Sequence, residues 1–193
     1  MYPQLTLPPQ LSLKLSQADF MRLVLANQDL RLERTATGEL VVNPPTGGET
    51  GRRNRRLTGE CDRWIEENPE LGEGFDSSTG FILPNGAIRS PDVSWVSRER
   101  WESLTPEQRE GFIPLCPDFV VELRSKSDNL ATLREKMQEY LDNGTQLGWL
   151  IDPQTRPVEV YRPQQAVEVL ENPTVLSGEG VLLGFRFNVS RIW

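Results

Sequence analysis

The 193-residue chain carries 21 Lys and Arg against 28 Asp and Glu, a formal net charge of −7, and no histidine. The missing histidines exclude Ser-His-Asp and Cys-His nucleophiles, and two cysteines are too few for a zinc site built on Cys/His clusters. What remains for chemistry is carboxylate, lysine, arginine and hydroxyl, a set that suits hard, oxygen-binding ions such as magnesium or manganese.

At the N-terminus, prolines interrupt MYPQLTLPPQLSLKL where a secretory signal needs a continuous apolar stretch, so a cytoplasmic protein is expected. Ser16 then caps a helix predicted over Gln17–Ala26, with Asp19 in its first turn and Phe20, Leu23 and Val24 at helical spacing. Leu30–Val42 reads as a hairpin of two short extended stretches around Thr37-Gly38, followed by a loop at Pro44-Pro45-Thr46-Gly47-Gly48. From Arg52 to Asn68, the spacing of Leu57, Cys61, Trp64 and Ile65 makes one apolar stripe on a second helix, which Pro69 closes. Arg52, Arg53, Arg55 and Arg56 crowd its start. One reading makes them, with Arg52, Arg53 and Arg56 foremost, a stripe for nucleic-acid phosphates; the other makes them a solvent-facing run, because cations there oppose the helix dipole and an acidic chain resists indiscriminate phosphate binding.

Gly74–Leu83 and Ala87–Val96 are strand candidates joined by Pro84-Asn85-Gly86, a hairpin turn whose Asn-Gly pair readily takes positive φ. Ser97–Leu115, with the helix-start pattern Thr105-Pro106-Glu107, reads as a helical insertion between strands. Phe119–Leu123 is a continuously apolar strand interrupted only by Glu122, which predicts a central position covered on both faces. Asp128 is expected to cap a helix whose stripe is Leu130, Leu133, Met137, Tyr140 and Leu141 and which Asn143-Gly144 ends. Leu147–Ile151 completes a βαβ-like unit. Val158–Tyr161, Val167–Leu170 and Val181–Phe187 read as further strands, and a homodimer that pairs them across its interface is one use for their edges. No apolar run approaches the roughly 20 residues of a membrane-spanning helix. Trp95, Trp101 and Trp149 are expected in the core rather than stacked on bases. The whole is one α/β (α+β) domain over 1–193.

Three features carry chemistry: Ser90-Pro91-Asp92-Val93 inside a strand, Glu122-Leu123-Arg124 at the end of the central strand, and Lys136 on the next helix. Acids on two adjacent strands can hold a magnesium ion, whose shell takes one or two carboxylates and fills with water and phosphate oxygens. Lys136 sits at the margin of its helix's apolar stripe, so its stem can reach toward the sheet. The competing reading makes Glu122 a partner for Arg124 or Lys136 and Lys136 part of a solvated helix face.

The runs GELVVNPPTGGETG, GFILPNGAIRSPDVSWV, CPDFVVELRSKSD and LREKMQEYLDNGTQLGWLIDP resemble the Uma-two family of restriction-endonuclease-like proteins, within the PD-(D/E)XK superfamily, from Ser16 to Trp193. The resemblance implies a restriction-endonuclease-like core, a mixed central sheet flanked by helices, with an extra N-terminal hairpin and C-terminal strands. It implies a Mg²⁺- or Mn²⁺-dependent endonuclease acting on DNA, with Asp92 and Glu122 on the metal and Lys136 assisting. Arg124 stands where the superfamily pattern has a lysine, and arginine cannot serve as a base. Either Lys136 takes over that work, or Arg124 clamps phosphate, or the chain is a catalytically silent binding or assembly module. A further acid often supplements such sites, and Glu39, Glu49 and Glu60 are the candidates. Gly51 stands where many relatives carry a histidine.

Overall fold

The computed structural model describes residues 12–193. The expectation of no secretory leader therefore rests mostly on residues outside those described. Helix α1 (Gln17–Ala26) begins as predicted, with the Ser16 side chain accepting from the Asp19 amide, and it buries Phe20. Strands β1 (Arg31–Arg34) and β2 (Leu40–Asn43) form the antiparallel hairpin.

Helix α2 (Gly48–Glu67) starts four residues before the predicted Arg52. Gly47 and Gly48 are weak helix formers, yet Gly47 takes the extended N-cap conformation and the buried stripe Leu57, Cys61 and Trp64 supplies the driving force. Full burial of each large apolar side chain contributes about 1.5–3 kcal/mol. The arginine cluster consequently lies in the second and third turns rather than at the first, which weakens its conflict with the helix dipole.

The predicted hairpin after α2 is present, but each long arm is broken. Strands β3 (Gly72–Asp76) and β6 (Val93–Ser97) pair with each other, while the tips β4 (Phe81–Ile82) and β5 (Ile88–Arg89) turn away. Pro91 has no N–H to give a ladder, which suits a break just before β6. The tips join β1 and β2 in a four-stranded sheet of order β2-β1-β5-β4. The insertion is two short helices, α3 (Arg98–Glu102) and α4 (Pro106–Glu110), the second opened by a capping box between Thr105 and Gln108.

Strand β7 (Phe119–Leu123) is central and buried throughout, and β8 (Leu147–Ile151) runs parallel to it, joined by α5 (Leu130–Asp142). Asp128 does not cap α5. Asn129 does, accepting from the Ala131 amide, while Asp128 accepts from the Ser125 amide and closes the loop before it. Strands β9 (Pro157–Tyr161) and β10 (Glu168–Glu171) extend the main sheet, whose order is β10-β9-β8-β7-β6-β3. The strand expected over Val181–Phe187 is replaced by a turn at 179–184, with Gly184 at φ 77°, and by the short pair β11 (Val175–Ser177) and β12 (Arg186–Asn188).

The mixed six-stranded sheet has a packed layer on each face. Leu57, Cys61 and Trp64 of α2, with Phe185, Phe187 and Ile192, cover Val93, Val121 and Trp149; Met137 and Tyr140 of α5, with Leu104 and Ile113 of the insertion, cover Val96, Val120 and Leu150. Trp95 and Trp149 are core residues, and Trp101 is half-buried against Phe75. Among the described residues no helix is long and apolar enough to cross a membrane.

Candidate active site

Strands β6 and β7 are antiparallel with Val93 opposite Val121, and carrying that register one residue further sets Asp92 opposite Glu122. Asp92 is fixed at both oxygens. Oδ2 accepts from the Leu123 amide at 2.8 Å, and Oδ1 accepts from Asn54 Nδ2 of α2 at 2.9 Å. The other end of the Asn54 amide, Oδ1, is buried without a donor. Both carboxylates open onto one cleft of about 610 Å³, bounded by the start of α2, by β1, and by the loop from Arg124 to Asp128.

Glu122, 5% exposed, meets Lys136 Nζ at 2.7 Å and accepts from the Tyr140 hydroxyl at 3.1 Å, both at Oε1. Burial pushes its carboxyl up to about 7 against the pull of Lys136, and the neighbouring Asp92 and Glu33 charges push the same way. Burial also raises Asp92, although the Leu123 amide and Asn54 favour its charged form. Burial alone would depress Lys136, but the flanking Glu122 and Glu33 outweigh it and hold the ammonium well above its ordinary range. Lys136 stays protonated at neutral pH.

Sequence reasoning missed Glu33. This β1 residue is only 3% exposed, and its carboxylate accepts from Lys136 Nζ at 3.0 Å, from Arg89 at 3.2 Å and from the Ser90 amide at 3.3 Å. Burial would raise its carboxyl, yet Lys136 and Arg89 hold it below the usual carboxylate value. Arg89 in turn reaches Glu139 of α5 at 2.6 Å. Lys136 thus bridges a carboxylate from each sheet.

The remaining candidates disperse. Arg124 points its guanidinium to Asp152 at 2.6 Å, at one wall of the cleft. Glu49 lies at the cleft mouth, exposed and paired with Arg52 at 2.8 Å. Glu39 sits at a bridge with Lys14 and lines no part of the cleft. Glu60 faces a separate shallow depression, paired with Arg63 and Arg191. Arg53 Nε donates to the Ile192 carbonyl at 2.8 Å and Arg56 to the Arg191 carbonyl at 2.6 Å, so these two arginines hold the C-terminal segment. Of Arg52, Arg53 and Arg56, only Arg53 lines the cleft.

Among the described residues no three His, Cys, Asp or Glu side chains are grouped to hold a metal by themselves. The arrangement offers two carboxylates on one cleft and a fixed ammonium beside them. No curated protein matches the chain. A crystal structure of a "putative nuclease belonging to DUF820" from Anabaena variabilis ATCC 29413 superposes with a TM-score of 0.70 at 22% identity, covering 83% of this chain and 88% of that one, a likeness that establishes the fold. The sequence itself matches, over residues 17–190, the Uma2 family described as "Putative restriction endonuclease". With nine-tenths of its length inside that match, the chain belongs to the Uma2 restriction-endonuclease-like family.

Proposed function

We propose that the protein is an endonuclease that hydrolyses DNA phosphodiester bonds with a bound Mg²⁺ or Mn²⁺. The observation that carries this reading is the convergence of Asp92 and Glu122, from adjacent strands, on one cleft beside Lys136. The residues present fit such an ion. Two carboxylates are what magnesium usually takes from a protein, and the buried, donorless Asn54 carbonyl oxygen adjoins Asp92 as a further hard acceptor. Burial raises the carboxyls of both Asp92 and Glu122, with the Asp92 charge adding to the shift at Glu122, and a divalent cation offsets the cost of holding them charged there.

A metal bound there supplies a nucleophilic water at neutral pH and stabilises charge on the phosphoryl oxygens. Asn54 and the Leu123 amide hold Asp92 in its rotamer, and Tyr140 and Lys136 hold Glu122. Lys136 acts as a fixed positive charge, because two carboxylates keep it protonated and unable to accept a proton. Arg124 is engaged with Asp152, so the work of the missing superfamily lysine falls to Lys136.

The test is nicking of supercoiled plasmid in magnesium or manganese. Wild type cuts, while Asp92→Asn and Glu122→Gln lose at least about two orders of magnitude, the scale of removing a residue that assembles the reacting groups. Equal nicking by wild type and both variants, or none by wild type in either metal, overturns the reading.

A further inference from the structure

Five basic side chains line the cleft: Arg31, Arg53, Arg124, Lys126 and Lys136. Three are already committed, Arg53 to the Ile192 carbonyl, Arg124 to Asp152, and Lys136 to Glu33 and Glu122. Lys126 is exposed on the loop after β7, where its flexible stem ranges through water. Arg31 differs from all of them. It is partly buried at the first position of β1, it forms no ion pair among the described residues, and its Nε is buried with no acceptor.

The rest of the guanidinium is turned to the cleft, and a partner that supplies an acceptor there breaks no ion pair of the chain and gains a charge-assisted bond. An anion is the favoured partner, since every guanidinium hydrogen is a donor and a charged acceptor makes the stronger bond. Among the described residues no carboxylate pairs with Arg31, so the partner is one that enters the cleft. The fork of a guanidinium matches two oxygens on one centre, as a phosphodiester presents.

The geometry points to Arg31 as the residue that grips the substrate's phosphodiester beside Asp92, an assignment that rests on the nuclease reading above. Arg31 and Asp92 line the same cleft, and the Arg31 charge favours the charged form of Asp92. Asp92 and Glu122 would hold the cation, and Arg31 would be left to meet non-bridging oxygens of the phosphodiester.

Binding of a fluorescein-labelled DNA duplex, followed by anisotropy in calcium, tests this without requiring cleavage. Arg31→Gln is expected to weaken binding about tenfold and to flatten the slope of log affinity against log salt by about 0.9, one phosphate contact's share. Arg31→Lys restores the slope and only part of the affinity, because a lysine keeps the charge and loses the fork. Manganese affinity, read by paramagnetic resonance, is unchanged or tighter in Arg31→Gln, since a cation beside Asp92 has been removed. Equal affinity and slope in Arg31→Gln overturn the assignment, and so does a fall in manganese affinity, which would make Arg31 a support for the carboxylate. A wild type that binds manganese but no DNA removes the nuclease reading itself.

Discussion

Glu33 and Lys136 are 103 positions apart in the chain, yet Nζ donates to Oε1 at 3.0 Å in the seam between the two sheets. The same ammonium lies 2.7 Å from Glu122, so a residue of the small sheet and one of the large sheet share a single counter-ion. The small sheet is therefore part of the site's electrostatics.

Removing Glu33 leaves Lys136 and Arg89 buried with one partner fewer each. Glu33→Ala is expected to destabilise the protein by about 3 kcal/mol, the lower end for breaking a buried pair from one side. Urea unfolding of Glu33→Ala, Lys136→Met and the double variant should give a coupling energy above about 1 kcal/mol, as for groups in direct contact. Additive losses would mean that the bridge contributes nothing.

The pH dependence of stability has two limbs of opposite sign. Glu122 is raised from 4.5 to about 7 in the folded state, so the folded chain holds a proton that the unfolded chain has lost. Stability falls as pH rises through that window, by an amount on the order of 3 kcal/mol, and levels off above it. Glu33 is lowered, so its contribution is present above its ordinary value of 4.5 and is lost as pH falls through the folded value. Urea melts in chelator should therefore lose stability on both sides of mildly acidic pH, and Glu122→Gln should flatten the upper limb alone.

If the carboxylates take a divalent ion, manganese raises the melting temperature. At a hundredfold excess over the dissociation constant, the gain is about 2.7 kcal/mol. The gain grows from pH 6 to 8, as the proton on Glu122 ceases to compete. Asp92→Asn should abolish it, and a shift of equal size in that variant would place the ion elsewhere.

Arg124 and Lys136 separate structural from chemical work. Arg124→Gln leaves the 5%-exposed Asp152 side chain without its guanidinium and is expected to cost about 2 kcal/mol in urea melts. Its nicking rate should fall far less than that of Lys136→Met. The reverse order would return the lysine's role to Arg124.

Gly72 on β3 allows the closest backbone approach in the main sheet. A Cβ there would run into the Val96 carbonyl and stand 2.6 Å from the Trp95 ring. Gly72→Ala should destabilise by more than about 2 kcal/mol, because backbone cannot step aside as a side-chain tip can. Gly59→Ala meets nothing within 4 Å and should stabilise by a few tenths to about 1 kcal/mol.

Glu122 could be read from sequence because it interrupts an apolar strand, where an acid is costly without a purpose, whereas Asp92, just ahead of β6, was legible through the family resemblance of Ser90-Pro91-Asp92-Val93. The helical wheel permitted Lys136, and the same resemblance singled it out. Glu33 and Arg31 could not be found in this way, since RLER looks like an ordinary exposed strand and only docking of the small sheet against α5 buries its acid. The break within each arm of the β3–β6 hairpin was also hidden, because an alternating apolar pattern reads the same whether a strand stays in one sheet or crosses to another. Asp128 and Asn129 are equally good caps by type, and only the competing bond from the Ser125 amide decides between them. Gly178, Gly180 and Gly184 were the overlooked warning against a strand over Val181–Phe187.

Arg53 and Arg56 lie on either side of Asn54 along α2, and each is tied to a carbonyl of residues 191–192, while Asn54 itself reaches Asp92. The last turn of the chain thus acts as a rotational stop for the helix: rolling α2 about its axis would strain both tethers before it carried Asn54 away from the carboxylate. A cut between Asn188 and Arg191 would remove that stop while leaving every cleft side chain in the molecule, so the aim of Asp92 depends on residues that never touch it.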